Sequence, residues 1–253
     1  MKEKHIKKNR YWLFGIILFI AFSACSDRMP KAESSSSILT ETEMKNLPLT
    51  YLLPSPKTDG SVSVEKALSN RRSQRNFQDR ELSTDQLSQI LWAAYGVTRP
   101  MPEHPSLKGG LRTAPSAGAM YPFEIYAVAG KVKGIESGVY KYIPHEHKIT
   151  RTIDKDIRVN LSAAALGQTM IRDAPVTIVY SAVFSRMTSR YGERGRERYV
   201  CIDLGHSAQN IYLQTEALRL GTCAIGAFTD SKVSQTLQLP AEEEPLYLMP
   251  VGY

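Results

Sequence analysis

Cysteine, tryptophan and long apolar runs are all scarce in this chain. Its 253 residues include three cysteines and two tryptophans. No two cysteines stand in CxxC spacing, so a disulfide framework or a zinc ribbon is not expected, and Cys201 and Cys223 are predicted to be buried, unpaired thiols. The apolar run at residues 11–24 covers 14 positions without a charge. A helix needs roughly 20 apolar residues to span a bilayer, so this run is short for a permanent membrane segment.

Several catalytic motifs are also missing. The sequence contains no GxxxxGK[ST] loop, no HExxH and no GxSxG. The motifs typical of P-loop nucleotide hydrolases, zincins and α/β-hydrolases are therefore absent. Ser63 and Lys66 match an SxxK motif, but the Ser-Asp-Asn and Lys-Thr-Gly elements that accompany it in penicillin-recognising enzymes are absent. His145 and His147 are interpreted as exposed turn residues rather than metal ligands. No metal site is predicted.

Positive charge exceeds negative charge, which raises the question of nucleic-acid binding. The chain has 32 Lys and Arg against 25 Asp and Glu, a formal net charge of +7. Residues 1–24 contribute five of the basic residues and one acidic residue, which leaves 27 against 24 in the remainder. A nucleic-acid surface needs clustered cations, and the clustered Arg71, Arg72 and Arg75 are assigned below to another ligand by a family resemblance. We therefore expect no nucleic-acid partner.

The N-terminus has the pattern of an export signal. Five basic residues precede the uncharged run, and small residues end it, as in a cleaved signal peptide. The sequence Phe22-Ser23-Ala24-Cys25 resembles a bacterial lipobox, which predicts lipidation at Cys25 and a membrane-anchored lipoprotein outside the cytoplasm. An uncleaved membrane anchor is the alternative. Residues 25–60 are rich in Ser, Pro and Glu with little periodicity and are predicted to form a flexible tether.

From residue 61 to residue 253 the pattern is that of one domain with interleaved helices and strands. Ser83 to Gln86 forms a capping box that predicts a helix ending at Gly96. Further helices are predicted over residues 62–70, 154–166, 199–220 and 231–239. Strands are predicted over residues 123–129, 174–184 and 245–253, together with a hairpin at residues 138–153. Residues 100–122 are predicted to be a long loop, because they hold five prolines and three glycines.

Three segments carry residue types suited to a cofactor. Residues 70–77 place Arg71, Arg72 and Arg75 beside Ser73, and guanidinium groups bind phosphate oxygens in pairs. Residues 113–122 form a loop of small residues that lets a flat ligand approach the backbone. Residues 220–228 contain two glycines, where main-chain N–H groups are able to face a ring nitrogen.

In this order, the three segments resemble the flavin-binding elements of the nitroreductase superfamily, and residues 189–228 are similar to its SagB/ThcOx-type dehydrogenases. The resemblance covers residues 61–253 and implies an α+β fold with a central, mainly antiparallel sheet wrapped by helices. It further implies a homodimer that binds FMN at its interface. In that arrangement Arg71, Arg72, Ser73 and Arg75 would hold the phosphate, ribityl chain and pyrimidine edge. Ser116, Ala117 and Gly118 would line the isoalloxazine ring from the partner subunit, and Gly226 and Ala227 would offer N–H groups near N5.

The same resemblance bears on catalysis. The related azoline dehydrogenases have a catalytic Lys-Tyr pair where this chain has Arg190 and Tyr191. Arginine keeps the charge but does not accept a proton near neutral pH, whereas Tyr191 is able to act as a general acid or base. The expected activity is therefore an FMN-dependent oxidoreductase acting on a small-molecule redox substrate. Azoline-ring dehydrogenation in peptide maturation and a non-enzymatic flavin-binding lipoprotein are the alternatives. His206, Gln209 and Asn210 serve either flavin contact or helix packing.

Overall fold

The computed structural model describes residues 48–104 and 107–253. Its centre is a seven-stranded, fully antiparallel sheet in the order β1-β6-β5-β4-β7-β9-β8. The strands of this sheet are β1 (Thr50–Leu52), β4 (Phe123–Ala129), β5 (Gly138–Ile143), β6 (Lys148–Ile153), β7 (Val176–Ala182), β8 (Gly221–Thr222) and β9 (Glu244–Gly252). Two short strands, β2 (Val97–Pro100) and β3 (Gly110–Arg112), form a separate antiparallel pair.

Seven α-helices surround the sheet in the described part of the chain. They are α1 (Val64–Asn70), α2 (Thr84–Tyr95), α3 (Arg158–Ala164), α4 (Thr169–Asp173), α5 (Phe184–Tyr191), α6 (Val200–Ala217) and α7 (Asp230–Leu237). A π-helical turn at Gly195–Tyr199 leads directly into α6. This arrangement confirms the predicted α+β class with a central antiparallel sheet.

Both faces of the sheet are covered, which explains why its central strands are so apolar. Every residue of β7 is buried, and so is nearly all of β4. Ile178 and Tyr180 belong to the core with α2 and α6, whereas Val179 belongs to a second core with α3, α4 and α7. Because successive side chains of a strand point to opposite faces, a strand buried on both faces has a continuous apolar sequence.

The local signals around α2 are confirmed. Ser83 accepts a hydrogen bond from the Gln86 N–H at 3.1 Å, and the Gln86 side chain accepts one from the Ser83 N–H at 2.9 Å. Gly96 closes the helix. The same kind of cap explains the SxxK match, since Ser63 Oγ accepts from the Lys66 N–H at the start of α1. The predicted strand at residues 123–129 is also confirmed.

The predicted tether is wrong over its last residues. Thr50–Leu52 pairs with β6 as an edge strand, and Leu53 is buried. The folded domain therefore begins before residue 61. Residues 1–47, with the export signal, Cys25 and the rest of the tether, lie outside the described residues. Within the described residues, no helix combines the length and apolar character needed to cross a bilayer.

Three smaller predictions also need correction. Cys201 is exposed, although Cys223 is buried as expected, and both are free thiols. His147 is not an exposed turn residue, because its ring nitrogens lie 2.8 Å from Tyr142 Oη and 2.7 Å from Ser88 Oγ. The helix predicted for residues 154–166 forms only over Arg158–Ala164, after a turn in which Asp156 accepts from the Arg158 N–H.

Candidate active site

A polar cavity of about 410 Å³ lies between the end of α1 and the C-terminal half of α6. Arg71, Arg72 and Arg219 line it, and Glu216 is the one acidic residue among its lining side chains. Its volume falls in the range of small-molecule sites. Because arginine forks match phosphate oxygens and the positive charge is in excess, the cavity suits a phosphorylated ligand.

Tyr212 of α6 connects the arginine segment to the chain that follows α6. Its hydroxyl oxygen accepts a hydrogen bond from the Ala224 N–H at 2.8 Å and lies 3.1 Å from Ser73 Oγ. The Arg71 guanidinium sits 5.2 Å from the centre of the tyrosine ring. The Gln74 N–H also donates to the Thr222 carbonyl. Residues 71–75 and 221–224 therefore form one connected wall, and sequence reasoning did not identify Tyr212 as its link.

Two of the predicted phosphate ligands do not line this cavity. The Ser73 hydroxyl contacts Tyr212. Arg75 is absent from the cavity lining, and its charge opposes the rise that burial causes in the pKa of Cys223. The structure therefore brings Arg71 and Arg72 to the cavity and places Ser73 and Arg75 in its supporting wall. Arg219 lines the cavity and was missed, since nothing in its sequence context distinguishes it.

The loop at Gly226 and Ala227 has free main-chain donors. Both residues are exposed, and their N–H groups are not bonded to any described residue. Two contacts hold the loop in place. Gln168 Nε2 donates to the Ala227 carbonyl at 2.8 Å, and the backbone of Ile225 pairs with that of Leu248 in β9. Fixed, unpaired N–H groups are able to donate to a ligand atom without reorganising the backbone.

Asp203 of α6 holds the loop of small residues. Ser116 Oγ donates to its carboxylate at 2.6 Å, and the Ala117 N–H lies 3.2 Å from both carboxylate oxygens. Burial raises the pKa of Asp203, and these hydrogen bonds partly oppose that rise. The polar groups of Ser116 and Ala117 are thus satisfied within the chain. The loop is shaped by Asp203, which sequence reasoning did not single out.

Arg190 and Tyr191, at the end of α5, lie against this loop. Gly118 has a φ of +58°, and a β-carbon there would come within 2.5 Å of Tyr191 Oη. The Tyr191 and Tyr199 rings pack edge-on with their centres 4.9 Å apart, and the Arg190 guanidinium lies 5.6 Å from the Tyr191 ring centre. The close approach of Tyr191 to the backbone therefore requires glycine at position 118.

Replacing Gly118 by Ala is expected to displace Tyr191 and destabilise the fold by about 2–3 kcal/mol, because a left-handed conformation and a steric overlap add together. Gly167→Ala is the matched control, since Gly167 has a φ of +75° and a β-carbon there would meet no atom within 4 Å. Thermal unfolding of both variants measures the difference. Equal destabilisation of the two would contradict the close contact between Tyr191 and Gly118.

The predicted site residues fall into two groups along α6. Tyr212 anchors the arginine wall and Asp203 anchors the loop at residues 116–118. These anchors are nine positions apart, which corresponds to about 14 Å of helix. Asn210, between them, donates to the Thr113 carbonyl at 3.2 Å, in agreement with a packing role. Among the described residues, no three His, Cys, Asp or Glu side chains converge as a metal site.

Comparison with known proteins identifies relatives of this arrangement. A candidate nitroreductase of Methanocaldococcus jannaschii is 44% identical over 191 residues, which is 76% of this chain and 91% of that protein. A trifolitoxin-processing protein of Rhizobium leguminosarum is 28% identical over 165 residues, 63% of this chain and 44% of that protein. The crystal structure of a candidate nitroreductase from Ralstonia eutropha superimposes with a TM-score of 0.67 and 30% identity, covering 80% of this chain and 88% of that one. The family model named Nitroreductase family matches residues 68–253, and the chain belongs to that family.

Proposed function

We propose that this protein is an FMN-dependent oxidoreductase that moves electrons or hydride between small molecules. The observation that carries the proposal is the continuous wall in which Tyr212 joins the Arg71–Arg72 cavity to the segment leading to Gly226. A cationic cavity and unpaired backbone donors are the two features that a flavin mononucleotide needs at its opposite ends.

The residues present have the chemical character that FMN binding needs. Arg71 and Arg72 would bind the phosphate, and Arg219 lines the same cavity. The N–H groups of Gly226 and Ala227 would face the N5 side of the ring. Bound FMN would supply the redox chemistry, and the protein would supply orientation and hydrogen bonds.

Tyr191 is the proposed acid or base. Its hydroxyl lies against the backbone of Gly118, and therefore at the loop that would cover the ring. Arg190 stays positively charged near neutral pH and would stabilise negative charge without accepting a proton. Tyr191 would therefore donate or accept the proton at a substrate atom.

A homodimer is part of the proposal. Within one chain the Ser116–Gly118 loop and the arginine wall attach to α6 about 14 Å apart. A partner subunit would bring its own loop over the ring, with Asp203 holding that loop in shape before the flavin binds.

We also propose a lipid anchor at Cys25 and a location outside the cytoplasm, where a membrane quinone or a small reductant would serve as redox partner. The mass of the mature N-terminal peptide tests the anchor, and an unmodified peptide would reject it.

Azoline-ring dehydrogenation is the alternative that one relative favours, because the name of the Rhizobium protein assigns it to trifolitoxin processing. The chain aligns with less than half of that protein, and it has Arg190 where the resemblance to azoline dehydrogenases implies a catalytic lysine. A flavin-binding lipoprotein without turnover is the non-enzymatic alternative.

Redox cycling of the bound flavin separates these possibilities. We expect candidate donors to bleach the flavin absorbance of FMN-loaded protein anaerobically, and quinones or nitroaromatics to restore it. Tyr191→Phe is expected to slow turnover by roughly 10²-fold or more with FMN still bound, because general acid–base catalysis contributes at that scale. A flavin that neither donors nor acceptors affect would contradict an enzymatic role. Turnover confined to azoline peptides would establish the alternative.

A further inference from the structure

A second cavity, of about 160 Å³, lies beside the β2–β3 pair and shares no lining residue with the first. Lys108, Arg112 and Arg186 line it together with Glu124, and Tyr95 and Tyr121 contribute aromatic walls. The volume is roughly that of five water molecules. It is therefore too small for a drug-sized ligand and suits a small ion or a short polar molecule.

The positive charge of this cavity is only partly neutralised. Glu124 forms ion pairs with Arg186 and with Lys141. Burial alone would raise the pKa of Glu124, but these two cations hold it below its usual value. The Glu124 carboxylate is therefore already paired with two cations. Arg112 and Lys108 have no carboxylate partner among the described residues.

Lys108 is the second cation here without a carboxylate partner. Burial, followed by the nearby Arg186, lowers the pKa of Lys108 to about 8. Burial is the larger cause, and repulsion from the Arg186 charge adds to it. An anion bound next to Lys108 would offset that repulsion.

Two buried polar atoms at this cavity have no hydrogen-bond partner, namely Arg112 Nε and Tyr95 Oη. Tyr95 is 2% exposed, and burial raises its pKa, with Arg112 and the Phe123 backbone opposing, so the hydroxyl keeps its proton. The other Arg112 nitrogens donate to the carbonyls of Tyr95 and Lys108 at 3.0 and 3.2 Å. An unmet buried donor is costly, and such donors commonly bind an ion or an ordered water.

We propose that this cavity binds one small oxyanion, a phosphate or a carboxylate group, between Arg112, Lys108 and the Tyr95 hydroxyl. The oxyanion would accept hydrogen bonds from the donors that the protein leaves unpaired. The site also touches the loop described above, because Arg186 donates to the Tyr121 carbonyl at 3.3 Å and the Tyr121 N–H donates to Ser116 Oγ at 3.0 Å. A bound anion would therefore stabilise that loop whether or not the chain is a flavoenzyme.

Isothermal titration of the full chain with inorganic phosphate, against sodium chloride at equal ionic strength, tests the proposal. We expect saturable binding of one phosphate at this cavity, and Lys108→Met should weaken it roughly 10-fold or more, as for loss of one charged hydrogen bond. Lys108 is an exposed residue, so its replacement should leave the fold intact. Lys133→Met, which removes the same charge from an exposed turn, is the control and should leave phosphate affinity unchanged. Acetate in place of phosphate distinguishes a carboxylate from a phosphate ligand.

The Arg71–Arg72 cavity is a competing phosphate site, and the double variant Arg71→Ala/Arg72→Ala separates the two. Phosphate binding that persists in this double variant and weakens in Lys108→Met supports the proposal. Binding that is lost in the double variant and unchanged in Lys108→Met would overturn it. Absence of any saturable binding up to roughly 10 mM phosphate would overturn it as well.

Discussion

Removing Arg71 and Arg72 together should weaken FMN binding by about 10²-fold. Each charged hydrogen bond to a phosphate contributes about 1.5–3 kcal/mol, and two of them correspond to roughly 10²–10⁴-fold in affinity. Arg72 is exposed, and solvent screening of its charge places the expectation at the lower end of that range. Fluorescence titration of apo-protein with FMN measures the change.

Arg198→Ala is the matched control for this experiment. Arg198 is exposed and forms no ion pair within the described residues, so its replacement should leave FMN affinity unchanged. Arg75→Ala provides a further comparison, because Arg75 does not line the cavity. We expect a smaller loss than for either Arg71 or Arg72. Unchanged FMN affinity in the double variant would show that the cavity is not part of the flavin site, even if FMN binds elsewhere.

Replacing Asp203 by Ala should destabilise the protein by about 2–4 kcal/mol, because it leaves the Ser116 hydroxyl and the Ala117 N–H without their acceptor in a largely buried position. Asp203→Asn keeps a carbonyl acceptor of the same shape and should cost less than half as much. Chemical denaturation measures both values. Equal losses in the two variants would show that Asp203 acts through both oxygens of its carboxylate, and that one carbonyl acceptor of the same shape does not replace them.

The pH dependence of the same comparison follows from the raised pKa of Asp203. Burial favours the protonated carboxyl in the folded chain, whereas the unfolded chain has the ordinary aspartate pKa of 3.8. The stabilisation from protonated Asp203 is therefore complete below pH 3.8 and declines as the pH rises through the folded-state pKa. The stability of the native protein relative to Asp203→Asn should fall over that interval and stay level above it. A rise over the same interval would show that the charged form is favoured.

The parts of the fold that were predictable depend on neighbours in the sequence. The Ser83–Gln86 capping box, the Gly96 stop and the apolar strand β4 are local patterns, and the structure contains each of them. The edge strand β1 was missed because its partner is β6, about a hundred residues away. The π-helical turn before α6 was missed for a similar reason, since Gly195 is required there by its packing against Met187.

The candidate site likewise contains some residues that the sequence indicates and others that only the structure shows. Clusters such as residues 71–75 and 116–118 stand out in the sequence because residues of one kind, arginines in the first and small residues in the second, stand together. Tyr212 and Asp203 do not stand out, because a tyrosine and an aspartate within an amphipathic helix are ordinary. Their roles depend on hydrogen bonds to Ser73 and Ser116, which are distant in sequence. Only the folded chain brings these pairs together.

Identification of the chromophore tests the central claim most directly. The full chain, purified without added cofactor and then reconstituted with a mixture of FMN, FAD and riboflavin, is denatured, and the released flavin is identified by chromatography and mass. We expect about one FMN per chain in preference to FAD and riboflavin, because the Arg71–Arg72 cavity selects a terminal phosphate. Retention of riboflavin as well as FMN, or of no flavin at all, would contradict that claim.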